Sequence, residues 1–553
     1  MTNAGGIIVT SASVDSKGES HGGESAAVRP TVIVDHKLAR MAQAAVLSLE
    51  LRSDLYQRGG ALVRFREDKG TKLQGLIRPK GEPVIEPLPL SQLHLVLSST
   101  ADWQKWDMRR KEPRLIPTTP PDKVVKGVLE LGEYPEQIRE LQALVEAPML
   151  RLDHQVVQEP GYDEFSGLYY LQPPCLRGHS VPEHPNAADV EEARDLLLDL
   201  VADFPFRSES HRSAYLAWLL TCFARFAYVG NTPFFLINAN SPRTGKTLLS
   251  EITSHIVVGR DFTKMSQHVE EEAERKVITS LALSGCLYVL IDNINRPFGS
   301  GALDMALTTA TVSDRGMHTH AMASGAFMAV MAGNGNNVQF KQGVDTAPRT
   351  MEIALETSLD RPETREGFRH WPLMDYVKKN RAELVMAALT LLRGYCAAGM
   401  PDQKLQNWGG FEAWSRLIRH CIVWAGMPDP YEAHAELLES ADSDRELREE
   451  LVYGLKELTE ELRVDSITMA EALAEIECDI EYRKHNATHR MRFPRFHQAI
   501  LQLCGVRDGR LPSSNIVGNK LKKYRKTPVR GGFALVQFER SNTGMKWGVR
   551  KTR

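Results

Sequence analysis

The sequence predicts a multidomain α/β chain. A parallel sheet with flanking helices forms its centre, an N-terminal α+β domain precedes it, and a helical region and a C-terminal winged-helix-like module follow. Three observations lead there. From Thr232 to about Leu359, short apolar β-like runs alternate with helical segments, as a parallel sheet requires. Residues 370 to about 485 carry helical periodicity almost throughout. The chain ends in two short helical stretches and two β-like runs, Phe533–Phe538 and Lys546–Val549.

Composition sets the limits. The 553 residues hold 68 Lys+Arg against 70 Asp+Glu, a net charge of -2, with 42% hydrophobic and 25% charged residues. That is globular usage and enough chain for three or four domains at about 100–200 residues each. A uniformly basic coat is excluded, although charge can still be segregated along the chain. The seven cysteines have no CxxC or Cys/His ligand spacing, and the 17 histidines form no cluster, which argues against a disulfide framework or structural zinc. The first twenty residues lack the basic and apolar regions of a secretory signal, and no apolar run approaches the roughly 18–20 residues that span a bilayer. The expectation is a soluble cytoplasmic (bacterial) protein with reduced thiols and no membrane partner.

Taken in order, residues 1–29 are rich in Gly, Ser, Ala and Thr and read as a disordered tail. The α+β domain spans 30–171, with a helical stretch Leu38–Leu51 leading to Tyr56-Gln-Arg-Gly-Gly60 and a strand-like Ala61–Phe65. Tyr56, Arg58, Arg64 and Arg66 are its candidate nucleic-acid contacts, against the plainer reading of an exposed Arg-rich strand. Primase-like paired carboxylates with a neighbouring histidine are not found there. Four prolines in 171–189 mark a linker, 172–189. A helical lead-in (190–230) carries helices Val190–Phe204 and Ser208–Tyr228. The α/β core (231–370), a helical domain (371–489) and the basic module (490–553) complete the chain.

The most informative segment is Pro233 to Ser250, where an apolar strand feeds the loop Asn240-Ser241-Pro-Arg243-Thr244-Gly245-Lys246-Thr247 and a helix follows. This is the pattern of a phosphate loop: backbone N–H groups and a helix N-terminus face the phosphates, Lys246 meets the β/γ oxygens, and the Thr247 hydroxyl ligates Mg²⁺. Asn240 stands where the pattern expects glycine, and asparagine tolerates the positive φ such a turn would ask of it. The run Cys286–Ile291 ends in Asp292, predicted to lie beside Lys246 across adjacent strand ends and to hold the metal. The next residue is Asn293, where many ATPases carry the water-activating glutamate. Glu271, Glu272 and Glu274 are alternative bases, with a solvated acidic helix face the favoured reading. A third strand, Ala326–Ala332, runs into Gly333-Asn334-Gly335-Asn336-Asn337. Asn336, with Asn334 close behind, is the candidate amide for the γ-phosphate; a plain Gly/Asn turn is the alternative. Arg349, before the strand Met351–Leu355, and Arg315 are candidates for a charge supplied to a neighbouring subunit's phosphate.

Phosphate loop, Asp-tipped strand, Asn-tipped strand and arginine follow one another as in the AAA+ ATPases, which the chain resembles over these elements. More narrowly, Leu290–Ile294, Thr311–Arg315, Gly335–Val338, Asp360–His370, Gly409–Trp414 and Val423–Pro430 resemble a primase-helicase-like or replicative-helicase-like group encoded by bacterial phages, plasmids and integrated mobile elements. The likeness covers roughly 205–430. It implies an AAA+ core, ATP and Mg²⁺ as cofactors, a homo-oligomeric ring (a hexamer favoured) and single-stranded or forked DNA as partner. An Asp-Asn pair at residues 292–293 is usual for that group.

Charge segregates at the end of the chain. Between Leu501 and Arg553 there are thirteen Lys/Arg and two acids, Asp508 and Glu539. Lys520, Lys522, Lys523, Arg525, Lys526, Arg530 and Lys546 are the candidate DNA contacts. The competing readings are a solubilising tail or a face that docks on the acidic stretch Glu436–Glu461. The leading expectation is a DNA-translocating ATPase. The alternatives are an ATP-switched initiator or regulator with little hydrolysis and a degenerate assembly scaffold.

Overall fold

The computed structural model describes residues 29–551, apart from 74, 110, 269, 310, 316–321, 342–343, 359–364, 442, 487–489, 507–509, 526–527, 530 and 542–543. The predicted tail lies almost wholly outside the described residues. The chain divides into two compact units, one ending at Leu437 and the other beginning at Leu438.

The first unit is a mixed α/β structure built on a parallel sheet. Its strands and helices are β1 (Phe234–Ala239), α1 (Lys246–Val257), β2 (Thr263–Ser266), α2 (Glu271–Leu283), β3 (Tyr288–Ile294), α3 (Gly301–Thr308), β4 (Val330–Asn336) and β5 (Thr350–Leu355). The five strands run parallel in the order β5-β1-β4-β3-β2. A parallel strand covered on both faces needs a nearly continuous apolar run, which is why β1 reads Phe-Phe-Leu-Ile-Asn-Ala. Phe235, Ile237 and Ala239 enter a layer shared with α1 and with helices Glu209–Ala224 and Arg381–Ala397. Phe234 and Leu236 enter the opposite layer with α2 and α3. The Phe235 ring lies 6.5 Å from Trp218 and 6.2 Å from Trp414, so truncating it would open a cavity costing about 3–5 kcal/mol.

The N-terminal part is joined to this sheet. Leu76 and Ile77 pair antiparallel with Met265 and Lys264 of β2, and Lys72–Leu73 folds back on them, so the sheet has seven strands. The predicted linker is packed as well: Pro174–Leu176 forms a 3-10 turn, and Leu176 and Val181 are buried in the same layer as α1. Proline content reports turns and carries no information about what a turn is packed against. Further out, helices Leu38–Leu49, Leu90–Thr100 and Asp122–Leu129 pack on a sheet of Thr31–Val34, Asp102–Asp107 and Arg114–Pro117 around Leu93, Leu97, Trp103 and Val124. Three of the candidate nucleic-acid contacts are engaged in the fold itself. Tyr56 is buried against Phe65, Tyr162 and Tyr169, Arg58 donates to the Leu283 carbonyl (2.9 Å), and Arg66 pairs with Glu86 at 2.5 Å.

The second unit packs helices Ser443–Glu461, Met469–His485, Pro494–Cys504 and Ser514–Leu521 with a three-stranded sheet. The ribbon Phe533–Ser541/Gly544–Lys551 is joined by Ile467–Thr468, which pairs with Trp547 and Lys546. Trp547, Phe496, Leu455 and Ile476 share its core. The division at 437/438 thus falls inside the stretch predicted as one helical domain. Helical periodicity marks which face is buried, and two helices that bury their faces in different cores look alike in sequence. Among the described residues no helix is long and apolar enough to cross a membrane.

His434 links the helix Tyr431–Ala441 to β5: it is 1% exposed and its Nδ1–H donates to the Thr350 carbonyl at 2.7 Å. Burial lowers its pKa from 6.5 to about 4. The unfolded chain therefore takes up a proton that the folded chain refuses. Its stability contribution is whole above pH 6.5 and drains as pH falls toward 4, by up to roughly 3 kcal/mol. Denaturant titrations from pH 7 to pH 4.5 should record this loss, with a shallower pH slope for His434→Gln.

Candidate nucleotide-binding site

The loop between β1 and α1 takes its left-handed turns at Arg243 (φ +62°) and Gly245 (φ +104°), not at Asn240. Asn240 has another task. Its side-chain amide donates to the Thr357 carbonyl (2.9 Å) and accepts from the Thr357 N–H (3.2 Å), tying the loop to the segment after β5. A glycine could not form that pair. Thr244 closes the loop on itself by donating to the Ser241 carbonyl at 2.6 Å. Gly245 is required twice over: its φ suits glycine, and an added Cβ would lie 3.1 Å from the Phe204 ring.

Lys246 opens α1, where first-turn N–H groups lack intrahelical partners and the helix dipole favours an anion. Its Nζ lies 2.5 Å from Asn336 Oδ1 and 3.4 Å from the Ser241 carbonyl. The residue is 9% exposed, and burial pulls its pKa down. Among the described residues no carboxylate lies within 4 Å of this ammonium. A buried cation that meets only neutral oxygens is poised for an anion. Thr247, next along, is exposed on the same turn.

Asp292 sits at the tip of β3, but β3 does not adjoin β1: β4 lies between them and brings Asn336 to the point midway. The expectation of adjacent strand ends is corrected accordingly, since strand adjacency follows from topology and not from sequence order. The charge of Asp292 reaches Glu251 on α1 and Lys264 on β2. Burial, then Asp261 and Asp292, push the Glu251 carboxyl up against the opposing pull of Lys264. Lys264 is itself raised: burial opposes its charge, but Asp261 at 3.1 Å outweighs that. Sequence reading missed both residues. Glu251, one turn beyond Thr247, was legible as an i, i+4 neighbour.

A bulge re-aims the tip of β3. Ile291 pairs with Gly333 and Ile294 with Gly335, so three steps on β3 oppose two on β4. Asn293 takes φ +58°, and its N–H donates to Asn334 Oδ1 at 2.8 Å. Asparagine tolerates this conformation and glutamate resists it, a conformational reason for the residue found there. The two candidate amides are thereby separated: Asn334, 4% exposed, clamps the bulge, and exposed Asn336 holds Lys246. The Gly-Asn-Gly-Asn run is strand, not a turn. A Cβ at Gly333 would lie 2.8 Å from the Phe234 ring.

The remaining candidates lie apart. Thr350 pairs with Phe234, so Arg349 lies at the end of the sheet remote from the loop between β1 and α1, where its guanidinium donates to the Asp345 carbonyl at 2.5 Å. Arg315 ends one strand of a hairpin, Thr311–Arg315 with Met322–Ala326, and its side chain lies outside the described residues. The acids of α2 are on the opposite face of the sheet from α1. They are not a uniformly solvated face: Glu274 is buried, its pKa raised first by burial, and it accepts from Ser300, which caps α3. In the second unit Lys520, Lys522 and Arg525 are exposed and Lys546 is half-buried. Lys526, Arg530 and the Lys523 side chain lie outside the described residues.

Beside the loop is a pocket of about 550 Å³ lined by Phe204, Arg243, Thr244, Gly245, Leu248, Thr357, Phe368 and Trp371, among others. Phe368 and Trp371 stack at 5.6 Å with a 17° interplanar angle. Asp199 fastens this segment, accepting from His370 (2.7 Å) and Arg369 (2.6 Å), and these two hold its carboxyl below the usual range. Partly aromatic, the pocket adjoins the loop that leads into Lys246. Sequence reading attached no chemistry to it, because its walls come from segments some 160 residues apart.

No protein-family model matches the chain, and no curated protein does. Three solved structures to which it is similar are the apo A form of the NrS-1 C-terminal region, the SCCmec type IV Cch active helicase and a ligand-bound JCV helicase. The first has a TM-score of 0.39 and 11% identity over 84% of this chain and 99% of that one. The second has 0.30 and 12% over 90% and 98%. The third has 0.19 and 13% over 46% and 67%. TM-scores of this size leave the functional argument to the geometry of the site.

The bulge makes a direct prediction. Asn293→Gly should leave stability nearly unchanged, and Asn293→Glu, which restores the carboxylate common at this point, should cost about 1 kcal/mol. Thermal melts of the two variants beside the parent chain check this.

Proposed function

We propose that the chain is an ATP-dependent DNA motor of the AAA+ type, most specifically a ring-forming replicative helicase of a mobile genetic element. The observation that carries this reading is the buried Lys246 ammonium, which has no carboxylate partner among the described residues and lies at the first turn of α1 between Ser241 and Asn336. In this reading Lys246 and the first-turn N–H groups bind the β- and γ-phosphates. The base enters the pocket walled by Phe204, Phe368 and Trp371.

The residues present fit Mg²⁺. That ion keeps several waters and takes one or two protein oxygens beside phosphate oxygens, which the Thr247 hydroxyl and the Asp292 carboxylate can supply. When bound, it supplies charge neutralisation at the phosphate oxygens. Asn336 exchanges its bond to Lys246 for one to the γ-phosphate and so reports its presence. Arg349, remote from its own subunit's loop, serves a neighbouring subunit, a role also open to Arg315. The cations of the second unit, Lys520, Lys522, Arg525 and Lys546 among them, grip DNA through its phosphates in a winged-helix-like module.

A second reading, an ATP-switched initiator with little hydrolysis, is favoured by one observation: the position after Asp292 carries a left-handed asparagine and no base. Measuring ATP turnover with and without single-stranded and forked DNA, together with oligomer mass, separates the two. The motor reading expects DNA to raise turnover several-fold and Lys246→Ala to abolish it. Turnover indifferent to every nucleic acid, with tight ATP-dependent DNA binding, favours the initiator. Changing Lys520, Lys522 and Lys546 together to Glu should weaken DNA binding and reduce the salt slope by about three.

A further inference from the structure

The N-terminal part carries an exposed aromatic and basic surface on the strand Asp102–Asp107. Strand Asp102–Asp107 pairs antiparallel with Arg114–Pro117. Trp103 points into the core, its Nε1–H donating to the Leu97 carbonyl at 2.8 Å. Three residues on, strand alternation turns Trp106 to the other face, where it is 51% exposed opposite Leu115. Met108 beyond it is 71% exposed. The sequence Lys105 to Arg114 holds five Lys/Arg against two acids; Arg110, one of the five, lies outside the described residues. Lys105, Arg109, Lys111 and Arg114 are exposed, while Asp107 is held by Arg109 at 3.0 Å and sits in register with Arg114.

A tryptophan left half in water forgoes part of the gain that burial would bring, so packing in the core does not account for it here. Its surroundings select the partner. Net positive charge favours a polyanion, and a flat indole face favours a flat π-system. A single-stranded nucleic acid offers both, whereas a duplex hides its base faces in the stack. We propose that the Asp102–Pro117 ribbon is a single-strand contact site, with a base stacked on Trp106 and the backbone tracked by Lys105, Arg109, Lys111 and Arg114. This goes beyond the motor reading, since it involves neither ATP nor the basic second unit.

The test uses the full chain and a fluorescein-labelled oligothymidylate of about 20 nucleotides, read by anisotropy. Trp106→Ala should weaken binding about tenfold, Trp106→Phe should keep most of it, and affinity for blunt duplex should not change. Changing Lys105, Lys111 and Arg114 to Gln should flatten the salt dependence. An oligonucleotide carrying 5-iododeoxyuridine should photocrosslink within 102–117. ATP binding, followed with a fluorescent ATP analogue, should be untouched by Trp106→Ala, so failure here is distinguishable from failure of the motor reading. Unaltered oligonucleotide affinity in Trp106→Ala, or crosslinks confined to other segments, would overturn the proposal. So would a changed oligomer mass at unchanged affinity, which would make the surface a protein interface.

Discussion

One buried charge organises the first unit. Lys246 is carried inward by α1, which packs through Leu249, Ile252 and Ile256 on β1, and among the described residues its ammonium meets two neutral oxygens. Removing a cation from water without a counter-charge is costly, and burial already loosens its proton. The fold tolerates this because the Asn336 amide and the Ser241 carbonyl supply partial negative charge to the ammonium. The loop serves that end: Gly245 gives the helix its approach past Phe204, and Asn240 pins the loop to the segment after β5.

The tip of β3 solves a related problem. A regular strand would alternate Asp292 and Asn293 across the sheet, whereas the bulge takes one residue out of the ladder and lets Asn334 accept the freed N–H. Backbone shape and residue type are therefore coupled at this point. The identity of residue 293 answers a conformational demand as much as a chemical one.

Much of this was legible in the sequence. Gly245-Lys246-Thr247 between an apolar strand and a helix, and the apolar run ending in Asp292, define local patterns that survive folding, whereas the run Ala326–Ala332 marked its strand only in part, the strand being Val330–Asn336. What was illegible depended on pairings distant in sequence. That β4 inserts between β1 and β3, that Asn240 bonds to Thr357, and that Phe204 and Trp371 share one pocket are tertiary facts. Tyr56, Arg58 and Arg66 show the converse: chemistry-bearing residue types that the fold uses for packing and ion pairs. The helices of 443–485 carried the right periodicity but no label for the core they join.

The short strands Lys72–Leu73 and Leu76–Ile77 have a mechanical meaning. They shield the outer flank of β2, whose N–H and C=O groups would otherwise face solvent as a template for any passing chain. Excising the N-terminal part at residues 172–189 is consequently not the subtraction of an independent module. The remainder would carry a raw β-flank and invite self-association. In the intact chain, the same backbone bonds make any load borne by the N-terminal part a load on the sheet that carries Lys246.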